Sequence, residues 1–484
     1  MKSKKSSVPD LSRRHFIGAA CCAAVGATGF LSSLASLRLI GAAASPGNGP
    51  LTPRTAGTIA SDYKALVCLF LQGGYDANNL IIPSDTTSYA AYAKARSNLA
   101  LPQTGLLPIS PRTRDGRSYS LHPAVPELQA MFASGQAALL GNVGTLVYPT
   151  TLAQYKAGSV PLPPQLFSHA DQQVQWQSSV PDKPTTTGWG GRLADLVNAF
   201  NSNNQISMSI SMAGTNFFQV GNAVTQYAVS PNGAVTFSGQ TGGNNPIRYQ
   251  AQKDLFAQSQ PGLFDAAFAG ISAASIANAD FLNTTLANAP KLTTVFPNTA
   301  SGTTYNSASA QLQMVARLIG AAPSLGLKRQ IFFVQLGGWD THASQLDSTN
   351  PDSGTHATLL SDISQALNAF YNATVELGVA NQVTAFTASD FGRTFTSNGD
   401  GSDHGWGNHQ IIVGGAVKGG DIYGSMPSLA IGGPDDTGRG RWVPSTSVDE
   451  YAATLATWFG VSATDLPTVL PNIGRFATAN LGFV

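Results

Sequence analysis

Cysteine is almost missing from this chain of 484 residues, which carries three, two of them adjacent at Cys21 and Cys22 near the N-terminus. If that end is removed, Cys68 stands alone and no internal disulfide can form, so the fold must rest on its core. Charge is scarce as well. Charged residues make up 11% and the formal net charge is +1, which excludes both a nucleic-acid footprint and a polybasic membrane patch. Beyond the N-terminal segment, no stretch is apolar over the ~20 residues needed to span a bilayer. No internal repeat of fixed period is present.

The N-terminus carries its own information. Lys2, Lys4 and Lys5 precede Ser12-Arg13-Arg14-His15-Phe16-Ile17, and a small, weakly apolar stretch follows from Gly18 to Leu37, broken by Gly26 and Gly29. Paired arginines before such a stretch form a receptor-read export address, and Ala42-Ala43-Ala44 supplies a cleavage site. The expected organisation is a twin-arginine signal over 1–44, a linker over 45–60, and one α/β domain over 61–484. The twin-arginine translocase is the expected partner, and the expected location is periplasmic or secreted, with no membrane anchor after cleavage. That route carries folded chains, so it suits a protein that captures a metal before export. The roughly 440 residues left are enough for a large core.

Continuous apolar runs predict buried strands at 64–71, 137–143, 331–336, 383–387 and 410–414, with a further alternating run at 206–212. Between 356 and 378, Leu359, Ile363, Leu367, Phe370 and Leu377 mark one helix face, ended by Gly378. This helix can cross between parallel strands at 331 and 383. A helix tail is expected over 311–319. The capping-box spacing of Ser447 and Glu450 opens another helix that stops at Gly460. Residues 213–305, rich in Asn, Gly, Thr, Ala and Ser without a clear period, read as a loop-rich insertion.

Three strand-like runs end in an acid: Gln72-Gly73-Gly74-Tyr75-Asp76-Ala77-Asn78-Asn79, Leu336-Gly337-Gly338-Trp339-Asp340-Thr341-His342 and Thr387-Ala388-Ser389-Asp390-Phe391-Gly392-Arg393. Parallel strands share one C-terminal edge, so Asp76, Asp340 and Asp390 are expected to converge there. Gathered carboxylates repel unless a cation sits among them. Asp with His, and no Cys, suits one or two divalent ions such as zinc, manganese, magnesium or calcium. His342, and the loop that carries His404 and His409, would add nitrogens, and Asn79 another oxygen. Each acid alone also reads as a turn former or cap. His122 and His356 read as loop and helix-start residues. Ser168, before His169, reads equally as a helix N-cap and as a hydroxyl nucleophile near an ion. Arg393, and more weakly Arg192, are candidate clamps for an anion.

These segments, with Phe167-Ser168-His169, Asp403-His404-Gly405-Trp406-Gly407 and Gly438-Arg439-Gly440-Arg441-Trp442-Val443-Pro444, resemble a bacterial family of uncharacterised twin-arginine-exported proteins. That family is grouped with the alkaline phosphatase and sulfatase superfamily. The resemblance spans Lys64 to Val461 and implies a mainly parallel sheet between helices, with a metal-centred hydrolytic site at the strand ends. It implies metal roles for Asp76, Asp340, His342, Asp390 and His404, and makes Ser168 the stand-in for the nucleophile. Phe391 departs from the pattern, because the superfamily has a histidine ligand there. The Cys-x-Pro-x-Arg motif is absent, which argues against a sulfatase that uses a modified cysteine.

Two functions are therefore expected. One is an exported metal-dependent hydrolase of a small phosphate or sulfate ester, with Ser168, His169, Arg393 and His409 around the reacting group. The other is a non-catalytic exported protein that binds or assembles on the same scaffold.

Overall fold

The computed structural model describes residues 57–202, 205–234, 245–259, 262–297, 308–347, 350 and 352–484. The expected signal over 1–44 and most of the linker lie outside the described residues. The fold is mixed α/β, with a large, mostly parallel sheet flanked by helices. In chain order the sheet strands are β1 (Lys64–Leu71), β2 (Ala137–Gly144), β3 (Ser209–Ser211), β4 (Tyr227–Ser230), β5 (Gly233–Ala234), β6 (Arg329–Leu336), β7 (Val383–Ser389), β8 (Asn408–Gly414), β9 (Ile422–Gly424) and β10 (Thr446–Ser447). Their order across the sheet is β9-β2-β8-β7-β1-β6-β3-β4-β5, and β10 pairs with β2.

The apolar runs form strands because both faces of the sheet are covered, so successive side chains are buried regardless of the direction they point. In β1 every residue after Lys64 is buried. One group of helices is Pro126–Ala133, Ala308–Gly320 and Thr355–Glu376. The other is His169–Ser178, Trp189–Val197 and Val448–Phe459. Here aromatic rings interlock: Trp189 lies 4.7 Å from Phe218, and Phe386 lies 5.7 Å from Tyr451. As expected, the strands at 331 and 383 are parallel, with Thr355–Glu376 between them in the chain. β1 lies between them in the sheet.

Two features of this sheet place the site. First, Leu71, at the end of β1, is in register with both Leu336 of β6 and Ser389 of β7. Three neighbouring strands therefore finish level, and the chain segments after them start side by side. Second, β8 runs antiparallel to β7 and to β2. Its N-terminus thus returns to the same edge and brings the 390–408 loop back over the three strand ends. The expectation of parallel strands did not include this reversal, because a strand's own residues do not encode the direction of its partner.

The 213–305 segment is more helical than its composition suggested. It holds Asn245–Phe256 and the 26-residue helix Leu263–Asn288. The latter is rich in alanine, the strongest helix former, and needs no pronounced apolar face to be helical.

The final long helix starts as its capping box predicts. Ser447 Oγ accepts from the Glu450 N–H at 3.1 Å, and Glu450 Oε2 accepts from the Ser447 N–H at 2.9 Å. Ser447→Ala removes one half of this exchange and is expected to cost about 1 kcal/mol. Denaturant unfolding checks it, and the midpoint should fall without a change of slope.

Candidate metal centre

Gly73 and Gly74 let the chain turn sharply after β1. Both have positive φ, of 121° and 73°, and a Cβ on Gly73 would sit 2.5 Å from the Asp340 backbone nitrogen. Only glycine permits that approach. It locks the loop after β1 against the loop after β6, where Asp340 and His342 project. The loop after β7 supplies Asp390 and Arg393. His169 opens its own helix, and His404 comes from the return loop before β8.

Four side chains meet above this edge. His169 Nε2 lies 3.1 Å from His404 Nε2, and His342 Nε2 lies 2.8 Å from the same atom. Asp340 carboxylate oxygens lie 3.5 Å from His169 Nε2, 3.2 Å from His342 Nε2 and 3.4 Å from His404 Nε2. The opposite nitrogen of each ring is held from behind. His169 Nδ1 is 2.6 Å from Asp390 Oδ2, His404 Nδ1 is 2.7 Å from the Phe167 carbonyl, and His342 Nδ1 is 3.0 Å from Asp403 Oδ1. Carboxylates and carbonyls can only accept, so each Nδ1 donates and carries a proton, and each ring turns its Nε2 inward.

Three imidazole Nε2 atoms and a carboxylate are therefore turned toward one space. A proton on one ring relieves a single contact, whereas a divalent cation relieves them all. The spacing fits as well. His169, Asp340 and His404 offer ligand atoms close enough together to hold one ion. Atoms bound at 2.0–2.1 Å to a tetrahedral zinc stand about 3.3–3.4 Å apart. Histidine ligands backed at Nδ1 by carboxylate or carbonyl are the usual second layer of a metal site.

Fixed charge tunes the cluster. Burial pushes the Asp340 carboxyl up, but Arg393, whose Nη1 and Nη2 both lie 3.0 Å from Oδ1, outweighs it and holds the group below its ordinary value. Burial lowers His404; the hydrogen bond to the Phe167 carbonyl opposes this, and His169, Arg393 and His342 add to the lowering. His169 is raised, chiefly by its hydrogen bond to Asp390. Asp403 is brought down to about 2: burial opposes this, and Asn398, His342 and Arg439 overcome it. Phe391 is buried beneath the cluster, its ring 4.8 Å from His169 and 4.6 Å from His404. It gives an apolar floor where the resemblance expects a ligand.

The remaining candidates have other partners. Asp76 is buried against Arg96, and Gln345 Nε2 donates to its Oδ2 at 2.6 Å. Asn79 Oδ1 accepts from Arg96 Nε at 3.1 Å and Tyr92 Oη at 2.8 Å. Both of these expected ligands thus face a guanidinium. Burial pushes the Asp76 carboxyl up, but Arg96, with His356 and Gln345, holds it below its ordinary value. Asp390 backs His169, and its oxygens also take hydrogen bonds from Gln173 and the Gly73 N–H. His409 is buried in the sheet, with Nδ1 accepting from the Asn142 N–H at 2.9 Å, and burial lowers it to about 4. Ser168 begins the His169 helix without capping it by its side chain; its hydroxyl instead donates to Asp171 Oδ2 at 2.6 Å.

Sequence reasoning missed Arg96, Gln173, Asp403 and the Phe167 carbonyl. Asp403 was within reach, since an acid beside a histidine suggests a backing group. Arg96, in the last turn of helix Thr86–Arg96, stands in no motif that marks it.

Residues 63–437 match the family described as "Protein of unknown function (DUF1501)". Solved structures similar to the chain include the PsFucS1 sulfatase from Pseudoalteromonas sp., 10% identical over 90% of this chain and 73% of that one, with a TM-score of 0.34. The lipoteichoic acid synthase LtaP from Listeria monocytogenes is 8% identical over 87% and 78%, with a TM-score of 0.32. The wild-type alkaline phosphatase PafA is 13% identical over 69% and 64%, with a TM-score of 0.27. No curated protein matches the chain.

Arg96→Met would leave Asp76 buried without its counter-ion and is expected to cost about 3–5 kcal/mol in denaturant unfolding. Adding Asp76→Asn should return part of that loss. A single-variant cost below about 1 kcal/mol would contradict the pairing.

Proposed function

The chain belongs to the DUF1501 family of proteins of unknown function, and from that premise we propose that it is a metal-dependent hydrolase of phosphate or sulfate esters, working outside the cytoplasm. One observation carries this reading: three imidazoles, each anchored at Nδ1, turn Nε2 toward the Asp340 carboxylate. His169, His342, His404 and Asp340 would hold the ion. A divalent ion there would supply Lewis-acid polarisation of an ester oxygen.

The chain's own residues do the rest. Asp390, Asp403 and the Phe167 carbonyl fix the ring orientations. Arg393 keeps Asp340 ionised and in place. Ser168, adjacent to His169, is the nucleophile in this reading, and Asp171 stands 2.6 Å from its hydroxyl to take the proton. Half-exposed Asp340 and exposed His342 leave the centre open to a substrate from solvent.

The paired Arg13 and Arg14 make the twin-arginine translocase the carrier in the same proposal. No helix among the described residues is long and apolar enough to cross a membrane. The non-catalytic reading keeps two observations of its own. Phe391 fills the place of a second-ion ligand, and Arg96 occupies Asp76, so the ion could instead serve only to tie the loops together.

Protein purified without chelator should carry a divalent ion, and Asp340→Ala should lose it, as read by elemental analysis. Asp390→Asn, which weakens the support of His169, should cost about 10–100-fold in metal affinity. The hydrolase reading expects turnover of an aryl phosphate or aryl sulfate that disappears with Asp340→Ala and drops in Ser168→Ala. A stable metal-free protein would overturn the proposal. A metal-loaded protein without turnover on either ester would leave only the binding role.

A further inference from the structure

The arginines expected to grip an anion are already spent. Arg393 donates to the carbonyls of Gly73, Gly74 and Ser402 as well as to Asp340. Arg192 is bound to the carbonyls of Val469, Thr187 and Ser178. A different guanidinium stands at the rim of the centre.

It comes from the Gly438-Arg439-Gly440-Arg441-Trp442 loop, which is rigidly built. Asp436 Oδ1 accepts from the Gly438 and Gly440 N–H groups, each at 2.7 Å, and Oδ2 accepts from the Gly432 N–H at 2.8 Å. Arg439 has a φ of 62° between two glycines of positive φ. A Cβ on Gly440 would lie 2.2 Å from Phe395 Cβ. Trp442 is buried and donates from Nε1 to Asn78 Oδ1 at 3.0 Å.

The loop presents two arginines, and their engagements differ. Arg439 Nη1 is paired with Asp403, the acid that backs His342. The Arg441 side chain donates only from Nε, to the His404 carbonyl at 2.9 Å, and its guanidinium carbon lies 4.6 Å above the Phe167 ring. Among the described residues Arg441 has no carboxylate partner and no acceptor on Nη1 or Nη2. His404 and Phe167, which hold its side chain, are themselves joined by the His404 Nδ1–Phe167 carbonyl hydrogen bond. Phe167 precedes Ser168, and its φ of 74° is rare for an aromatic residue. The guanidinium is thus held by Nε and by stacking, with its two-pronged end unused.

We infer that Arg441 is the residue that grips the substrate's tetrahedral oxyanion, a phosphate or sulfate group, through Nη1 and Nη2 together. The inference rests on the proposed metal centre. A planar, pre-positioned fork matches two oxygens of such an anion, which a lysine cannot do. Arg441 thereby selects anionic esters over neutral ones, leaving Arg393 to organise Asp340.

The test is calorimetric titration of the mature protein, carrying its co-purified metal, with inorganic phosphate. Wild type, Arg441→Met and Arg441→Lys are compared, with metal content measured for each. The expected result is full metal in all three, with phosphate binding weakened about tenfold or more in Arg441→Met and not restored by the lysine that keeps the stem. Unchanged phosphate affinity in a metal-loaded Arg441→Met would overturn the clamp and leave the metal centre standing. A metal-loaded wild type that binds no phosphate would overturn it too. A metal-free wild type whose phosphate binding is nonetheless lost in Arg441→Met would keep the clamp and remove the metal reading.

Discussion

Everything at this edge depends on one electrostatic constraint: His169 and His342 each turn Nε2 toward His404 Nε2, and all three rings turn Nε2 toward the Asp340 carboxylate, at 2.8–3.5 Å. Ring orientation is not free there. Each Nδ1 is tied to a group that only accepts, so no ring can turn its proton inward without giving up a hydrogen bond. The fold supplies this arrangement through three strands that end level and one antiparallel strand that brings the fourth segment back over them. A cation is the simplest way to hold such a set together.

Buried arginines occupy part of this edge. Arg96 occupies Asp76 and Asn79, and its remaining donors reach the carbonyls of Thr394 and Phe395. A permanently charged guanidinium therefore sits where the resemblance implies a metal ligand, and the buried Asp76 carboxylate keeps a counter-ion. Arg393 does a related job at Asp340, but that acid stays exposed on its other side. In the proposed reading the edge takes one ion, with covalently attached positive charge in place of a second.

Much of this was legible in the residues. β1, β6 and β7 announced themselves as unbroken apolar runs because they are buried on both faces. The acids and histidines that follow them were legible because strand ends in a parallel sheet share an edge. The reversal of β8 was not, since pairing direction is a property of two strands. The helix Leu263–Asn288 was hidden by its small, mixed side chains. Asp76 was assigned a ligand's role because it follows a strand just as Asp340 does. Only the fold shows that Arg96, twenty residues later on a separate helix, reaches back to it. Asp390 has the right position but a supporting role, because His169 from a distant helix comes between it and the centre.

X-ray absorption on the protein as purified, at the edge of the metal it carries, reads directly what fills the space between the Nε2 atoms. The account predicts a first shell at about 2.0–2.2 Å with the outer scattering of several imidazoles and one carboxylate oxygen. A protein without metal, or a metal with an all-oxygen shell and no imidazole signature, would contradict it.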